Sequence, residues 1–186
     1  MAVKGSKKQK KTWFNIVTPK EFGNHVIGET LAVEPQKLVG KYVKIGLMAL
    51  MNDPKKQNIK MKFKIKNVTE KTATTEVIRY EVVPGYIKRM VRKGRAKVED
   101  SFITETKDKV RIRIKPVIIT RSKTQRSVLA EIRRKAKEFI IERLKSQNFS
   151  EFLNDSITTK NQRDMKDALK KLYPIAFCEF RVISKL

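Results

Sequence analysis

In Ile59-Lys60-Met61-Lys62-Phe63-Lys64-Ile65-Lys66, apolar and cationic side chains alternate without exception. Only an extended strand sorts a period of two into faces, so Ile59, Met61, Phe63 and Ile65 belong to a core and the four lysines to water or to an anion. Residues 110–115 repeat the pattern, with Arg111, Arg113 and Lys115 alternating with Val110, Ile112 and Ile114. A chain built around such segments needs a sheet with one cationic face.

The neighbouring segments extend that sheet. Residues 13–17 and 26–33 are expected strands, the second with a bulge at Gly28, and residues 41–51 continue as an apolar strand to the Asn52-Asp53-Pro54 turn. Residues 72–83 form a β-branched strand. Helical spacing at residues 86–93 puts Ile87, Met90 and Val91 on one side, and Gly94 is the expected stop. Residues 96–104 and 110–119 are two more strands around a turn at Lys107-Asp108. From Ser127 the period changes to 3.6: Val128, Leu129, Ile132, Ala136, Phe139, Ile140 and Leu144 form the stripe of a helix capped by Ser127. Ser150 is expected to cap a short helix. Thr159 opens another with the stripe Met165, Ala168, Leu169 and Leu172, ending at Tyr173-Pro174 because proline disfavours helix in its predecessor. The predicted class is therefore α+β, with residues 1–12 a basic, disordered N-terminal tail and residues 13–186 a single domain. Within it residues 13–120 are β-rich, 127–173 helical and 175–184 a final strand.

Charge narrows the partner. The chain carries 44 Lys and Arg against 19 Asp and Glu, a formal +25 on 186 residues. At a Debye length of about 8 Å, such an excess repels itself unless a polyanion neutralises it, and nucleic-acid phosphate is the natural one. The longest apolar run, residues 45–51, is far short of the roughly 20 residues a membrane span needs, and no apolar segment follows the basic N-terminus as in a signal peptide. A soluble, cytoplasmic protein without a membrane partner is expected. The lone Cys178, set in an apolar run, reads as a small buried hydrophobe in a reducing compartment.

Catalytic chemistry is poorly supported. His25 has no acid, nucleophile or cysteine nearby in sequence and reads as a surface or turn residue. There is no Gly-x-Gly-x-x-Gly and no phosphate loop, so no cofactor, metal or small-molecule substrate is expected. Glu99-Asp100 and Asp164 with Asp167 read as ion-pair partners of the many bases. The chain is not expected to be an enzyme.

Four cationic groups remain. Lys7, Lys8, Lys10 and Lys11 run into Trp13, either a solubilising tail or a phosphate-binding arm beside a stacking ring. Lys60, Lys62, Lys64 and Lys66 either protect an edge strand or contact RNA. Lys88, Arg89, Arg92, Lys93 and Arg95 lie in a stretch without an acid and favour phosphate. Arg121, Lys123 and Arg126 occupy a loop able to conform to an irregular groove, and Arg133, Arg134 and Lys137 follow on the long helix; guanidinium forks bind phosphate bidentately. Dispersed cationic faces suit a folded RNA better than duplex DNA.

Several strings carry a family resemblance. Lys11-Thr12-Trp13-Phe14-Asn15-Ile16 with Pro19 and Phe22, then Ile27-Gly28-Glu29-Thr30-Leu31, resembles the opening block of archaeal and eukaryotic small-subunit ribosomal proteins of the S-three-A type, also called eukaryotic-type S-one. Arg121-Ser122-Lys123-Thr124 leading into Ile132-Arg133-Arg134-Lys135, and Leu172-Tyr173-Pro174 before a strand with Arg181, are similar to that family's later blocks. The chain is similar to the compact archaeal form, without long terminal extensions. The resemblance implies a β-barrel-like core with C-terminal helices. It also implies a structural role on the small-subunit platform near the messenger exit and the 3′ end of the rRNA, beside neighbouring ribosomal proteins and with messenger RNA a further candidate contact. Carried onto this sequence, rRNA contact would fall to the tail and Trp13, to residues 121–126, and to Arg133, Arg134 and Lys137. A free-standing RNA chaperone or translation regulator is the rival reading.

Overall fold

A computed structural model describes residues 10–186. Its strands are β1 (Thr12–Val17), β2 (Val26–Ala32), β3 (Tyr42–Gly46), β4 (Ile59–Thr69), β5 (Thr72–Val82), β6 (Lys97–Glu99), β7 (Phe102–Glu105), β8 (Arg111–Thr120) and β9 (Ile175–Lys185). Its helices are α1 (Leu47–Met51), α2 (Pro84–Met90), α3 (Arg126–Ser146), α4 (Phe149–Ile157) and α5 (Lys160–Lys170). The mixed α+β class follows the sequence reading.

The strands form one nine-stranded sheet, but it does not close into a barrel. The reason lies in two long strands that share an edge between two partners. β4 pairs along all of β5, so the opposite edge of β5 is left for β1, parallel at Thr72 to Thr74, and then for β9, antiparallel at Arg79 to Glu81. β8 likewise gives one edge to β9 and the other to β7 and then β6. The sheet branches, and among the described residues β2 and β3 each keep one unpaired edge, whereas a barrel needs its outermost strands to meet.

Several boundaries differ from the sequence reading for local reasons. The apolar run at residues 41–51 is strand only to Gly46; Leu47 then turns inward, fully buried, as the start of α1, and Asn52 ends it in the left-handed region. Periodicity alone cannot separate a short buried helix from a strand. The expected strand at 96–104 is two strands, β6 and β7, broken where the Asp100 carboxylate accepts from the Ser101 amide at 2.8 Å, a local bond that competes with the ladder. The β2 bulge falls at Ile27, since Gly28 pairs with Ile16 and Val26 with Val17. α2 starts at Pro84, where a missing N–H costs nothing, and ends at Val91, while Gly94 turns the chain later. Ser127 is no cap, because α3 begins after Gln125, and Asn148 rather than Ser150 caps α4 in a reciprocal box with Glu151. The Ser150 hydroxyl bonds Glu21 instead.

The main core lies where α3, α4 and α5 meet the sheet. Ile132, Ala136, Ile140 and Leu144 of α3, Phe152, Leu153 and Ile157 of α4, and Met165 and Leu169 of α5 pack with Phe63, Tyr80, Ile114, Ile118 and Phe180. Ala168, expected on the α5 stripe, faces solvent. A smaller cluster of Phe14, Ile16, Ala32, Leu38, Ile65 and Ala73 anchors β1 and β2. Each large side chain removed from water contributes about 1.5–3 kcal/mol, which fixes the sheet that presents the cations. Cys178 is buried, and burial pushes its thiol pKa up, as for an inert core cysteine.

Candidate nucleic-acid interface

The lysine ladder on β4 is not an edge. β3 pairs with Lys60 to Lys64 on one side and β5 on the other, so protection of an edge does not explain those lysines. The register instead lines up cations across strands: Lys44 opposes Lys62, Lys62 opposes Arg79, Arg79 opposes Ser184, and Ser184 opposes Arg113. Direct cross-strand partners share a face. With neighbouring strands about 4.8 Å apart, this row runs roughly 19 Å across the sheet. The Lys62 ammonium sits 3.7 Å from the Tyr42 ring centroid, which steers it while leaving its charge in place. Acids interrupt the row only locally: Glu81 is 3.0 Å from Arg79, and Glu76 pairs with Lys185.

Beside Arg113 along β8, Lys115 lines a cleft with Arg181 of β9 and Arg133 of α3. Arg181 reaches Glu99 at 3.8 Å, and Lys97 reaches the same carboxylate at 3.3 Å. Arg134 pairs along its helix with Glu138 at 3.4 Å, and Lys137 lies 5.7 Å from the Phe102 ring. Such exposed pairs are worth at most about 1 kcal/mol and yield easily to phosphate.

The loop bearing Arg121 and Lys123 is pinned rather than conformable, and Arg126, expected in it, instead opens α3. The Thr120 hydroxyl donates to the Ser122 carbonyl at 2.7 Å, and the Arg121 amide donates to Pro174 at 3.0 Å. The Tyr173 hydroxyl is 2.7 Å from the Ser122 hydroxyl and donates to the Lys123 carbonyl at 3.2 Å. All three cations remain exposed, so the loop offers charge with much of its ordering entropy already spent.

Lys88 and Arg89 stand on the last turn of α2, with Arg92, Lys93 and Arg95 in the loop after it; Arg89 donates to Asn58 at 3.3 Å. Lys10, Lys11 and Trp13 lie near the N-terminus, and Trp13 is 58% exposed opposite the exposed Leu31 of β2. Lys7 and Lys8 fall outside the described residues. The sheet row and the Arg133 cleft are contiguous through β8; β1, which carries Trp13, joins the same sheet at the far end of β5 from Arg79, and residues 88–95 lie outside the strand pairing.

A family model described as the Ribosomal S3Ae family matches residues 3–186. The chain belongs to that family. Among relatives of this S3Ae-family chain, the small ribosomal subunit protein eS1 of Halorubrum lacusprofundi is 33% identical over 177 residues, covering 95% of this chain and 82% of the relative. The protein of the same name from Archaeoglobus fulgidus is 33% identical over 178 residues, 95% of this chain and 84% of its own length. That of Nanoarchaeum equitans is 31% identical over 173 residues, 93% and 87% of the two chains. These archaeal relatives agree with the family read from the opening and closing strings.

The S3Ae-family structure adds residues that sequence reasoning passed over. Lys44 and Arg79 join the lysine ladder only through strand register, and Tyr173, noticed as a helix terminus, braces a loop fifty residues away. Arg113 and Lys115 had a visible signal in their alternation. His25 is exposed at the start of β2, where its backbone bonds the Thr18 hydroxyl. Among the described residues no three His, Cys, Asp or Glu side chains gather as metal ligands, and no helix is long and apolar enough to cross a membrane. Asp164 pairs with Arg143 at 2.9 Å, as expected of a surface ion pair.

Proposed function

We propose that this chain is a structural, non-enzymatic constituent of the small ribosomal subunit that binds and stabilises rRNA, in the ribosome and the cytoplasm. The observation that carries this reading is its kinship, over nearly its whole length, with proteins named small ribosomal subunit protein eS1. The cationic row through Lys62, Arg79 and Arg113, the cleft at Arg133 and the braced loop at residues 121–125 supply a physical means, neutralising phosphates that approach from several directions. Residues 13–186 act as one rRNA-binding domain. In this reading it sits on the platform near the messenger exit and the rRNA 3′ end, beside neighbouring ribosomal proteins and within reach of messenger RNA. Trp13 and the lysines before it contribute stacking and charge at the rim.

Salt titration of the protein with a small-subunit rRNA fragment tests the electrostatic part. If about 6–10 phosphates are neutralised, affinity falls by about a thousandfold or more between 50 and 200 mM salt. Lys62→Ala and Arg113→Ala should each lower the log–log slope by about one. A salt-independent affinity, or slopes unchanged in both variants, refutes the row as a phosphate-binding surface.

A further inference from the structure

Apart from the cationic row, the structure holds a cleft of about 440 Å³ where the turn before β4, helix α2, the α4–α5 junction and strand β9 converge. Lys55, Lys56, Ile59, Tyr86, Arg163 and Glu179 line it. We propose that this cleft receives an unstacked guanine from single-stranded RNA, with the Glu179 carboxylate accepting from the base edge, Tyr86 against the ring, and Lys55, Lys56 and Arg163 at the flanking phosphates. The inference rests on the RNA-binding reading above and adds base recognition to it.

The floor argues for a ligand that donates hydrogen bonds. Glu179 Oε2 accepts from Gln162 Nε2 at 3.2 Å, and the same Nε2 donates to the Ser156 carbonyl at 2.8 Å. Because the Ser156 carbonyl can only accept, the Gln162 amide is fixed in this orientation, and its Oε1 is left buried without a protein partner. Glu179 lines the cleft directly, and an acidic group there, backed by Gln162, favours a ligand that brings hydrogen-bond donors. Glu179 itself is largely withdrawn from water, which pushes its pKa up to about 7, so a pair of well-placed donors gains more there than at the surface.

The walls and rim select among donors. Tyr86 is held edge-on by Phe177 at 5.7 Å and lines the cleft beside Ile59, a lining suited to a planar ring. Three cations stand at the mouth, and the one acid with them, Asp53, already accepts from the Lys55 amide at 3.0 Å and lies 3.9 Å from the Lys56 ammonium. That rim repels a guanidinium or ammonium from another protein and attracts phosphate. Of the four RNA bases, guanine alone presents two adjacent donors, N1–H and N2–H₂, to a carboxylate; adenine and cytosine place an acceptor beside their amino group, and uracil flanks its single N–H with carbonyls.

The test titrates the full chain with the trinucleotides UGU, UIU and UAU, where inosine keeps N1–H and lacks the 2-amino group. Binding is read from the Tyr86 ring resonances and from calorimetry. The expected result is a preference for UGU on the order of tenfold. Glu179→Gln should abolish the preference, and Tyr86→Leu should weaken UGU, while both variants stay folded by circular dichroism and keep the salt slope of rRNA-fragment binding. Equal binding of all three trinucleotides, no shift at Tyr86, or displacement of UGU by N-acetylarginine amide overturns the proposal. Loss of the rRNA salt slope in the wild-type chain would instead count against the RNA-binding reading itself.

Discussion

Replacing Glu179 by glutamine should make the protein more stable in alkaline buffer and leave it nearly unchanged in mild acid. The side chain is buried against α5, where it accepts from Gln162, and lies near Tyr80 of β5, Tyr86 of α2 and its neighbour Cys178. Burial is the largest influence and raises its pKa from 4.5 to about 7, opposed by hydrogen bonds from Gln162 and the Phe180 amide. The unfolded chain releases this proton near 4.5 and the native chain only near 7. Between those values the unfolded state binds fewer protons, so rising pH erodes stability across the window and the full cost is present above it. At about 1.4 kcal/mol per tenfold change in proton affinity, that cost is about 3 kcal/mol. Tyr80, Tyr86 and Cys178 are all pushed upward by burial, so they stay neutral and do not blur the window. Glutamine keeps the shape and an acceptor for Gln162 but never ionises. Urea unfolding of both proteins at pH 5 and pH 8.5 measures the difference of differences, which cancels every other titrating group. The expected gain for the variant at pH 8.5 relative to pH 5 is about 2–3 kcal/mol. Parallel pH profiles for the two proteins would show that Glu179 is not desolvated as described.

Three further perturbations probe separate parts of the account. Tyr173→Phe removes the brace on residues 121–124, and amide exchange there should accelerate with a stability loss of about 1 kcal/mol, whereas unchanged protection means the loop holds itself. Asn148→Ala should cost about 1 kcal/mol by thermal melting and Ser150→Ala little, because Asn148 caps α4; the reverse order would reinstate Ser150. Phe152→Ala opens a void against Phe180, 5.7 Å away between ring centroids, and should cost about 3–5 kcal/mol in urea unfolding, a loss below 1 kcal/mol contradicting its place in the core.

Strand β4 shows what the sequence could and could not tell. Its alternation assigned Met61, Phe63 and Ile65 to the core and the lysines to the surface, because the pleat makes face a local property. Whether the strand lay at an edge depended on β3, whose own run of apolar residues hid the change to helix at Leu47. The Lys44, Lys62, Arg79 and Arg113 row depends on four separate registers and has no local signature. The α3 stripe was legible through Ile132, Ala136, Ile140 and Leu144, yet its start was not, since Gln125 caps without a side-chain bond. Barrel closure failed as an expectation because β5 and β8 divide an edge between partners far apart in sequence. Glu179 was one acid among 19, and only the docking of α5 and α2 onto β9 sets it apart.

The central claim is that the chain is an integral part of the small subunit, held by its rRNA. The direct measurement is sedimentation of native particles through sucrose gradients before and after a high-salt wash, with this protein counted against small-subunit rRNA by quantitative mass spectrometry. The account predicts a single copy per small subunit, retained through the wash, with crosslinks to rRNA at the braced loop and Arg133. Protein at the top of the gradient, or released by modest salt in uneven ratio to rRNA, would contradict it and point to an RNA chaperone or regulator that visits many RNAs.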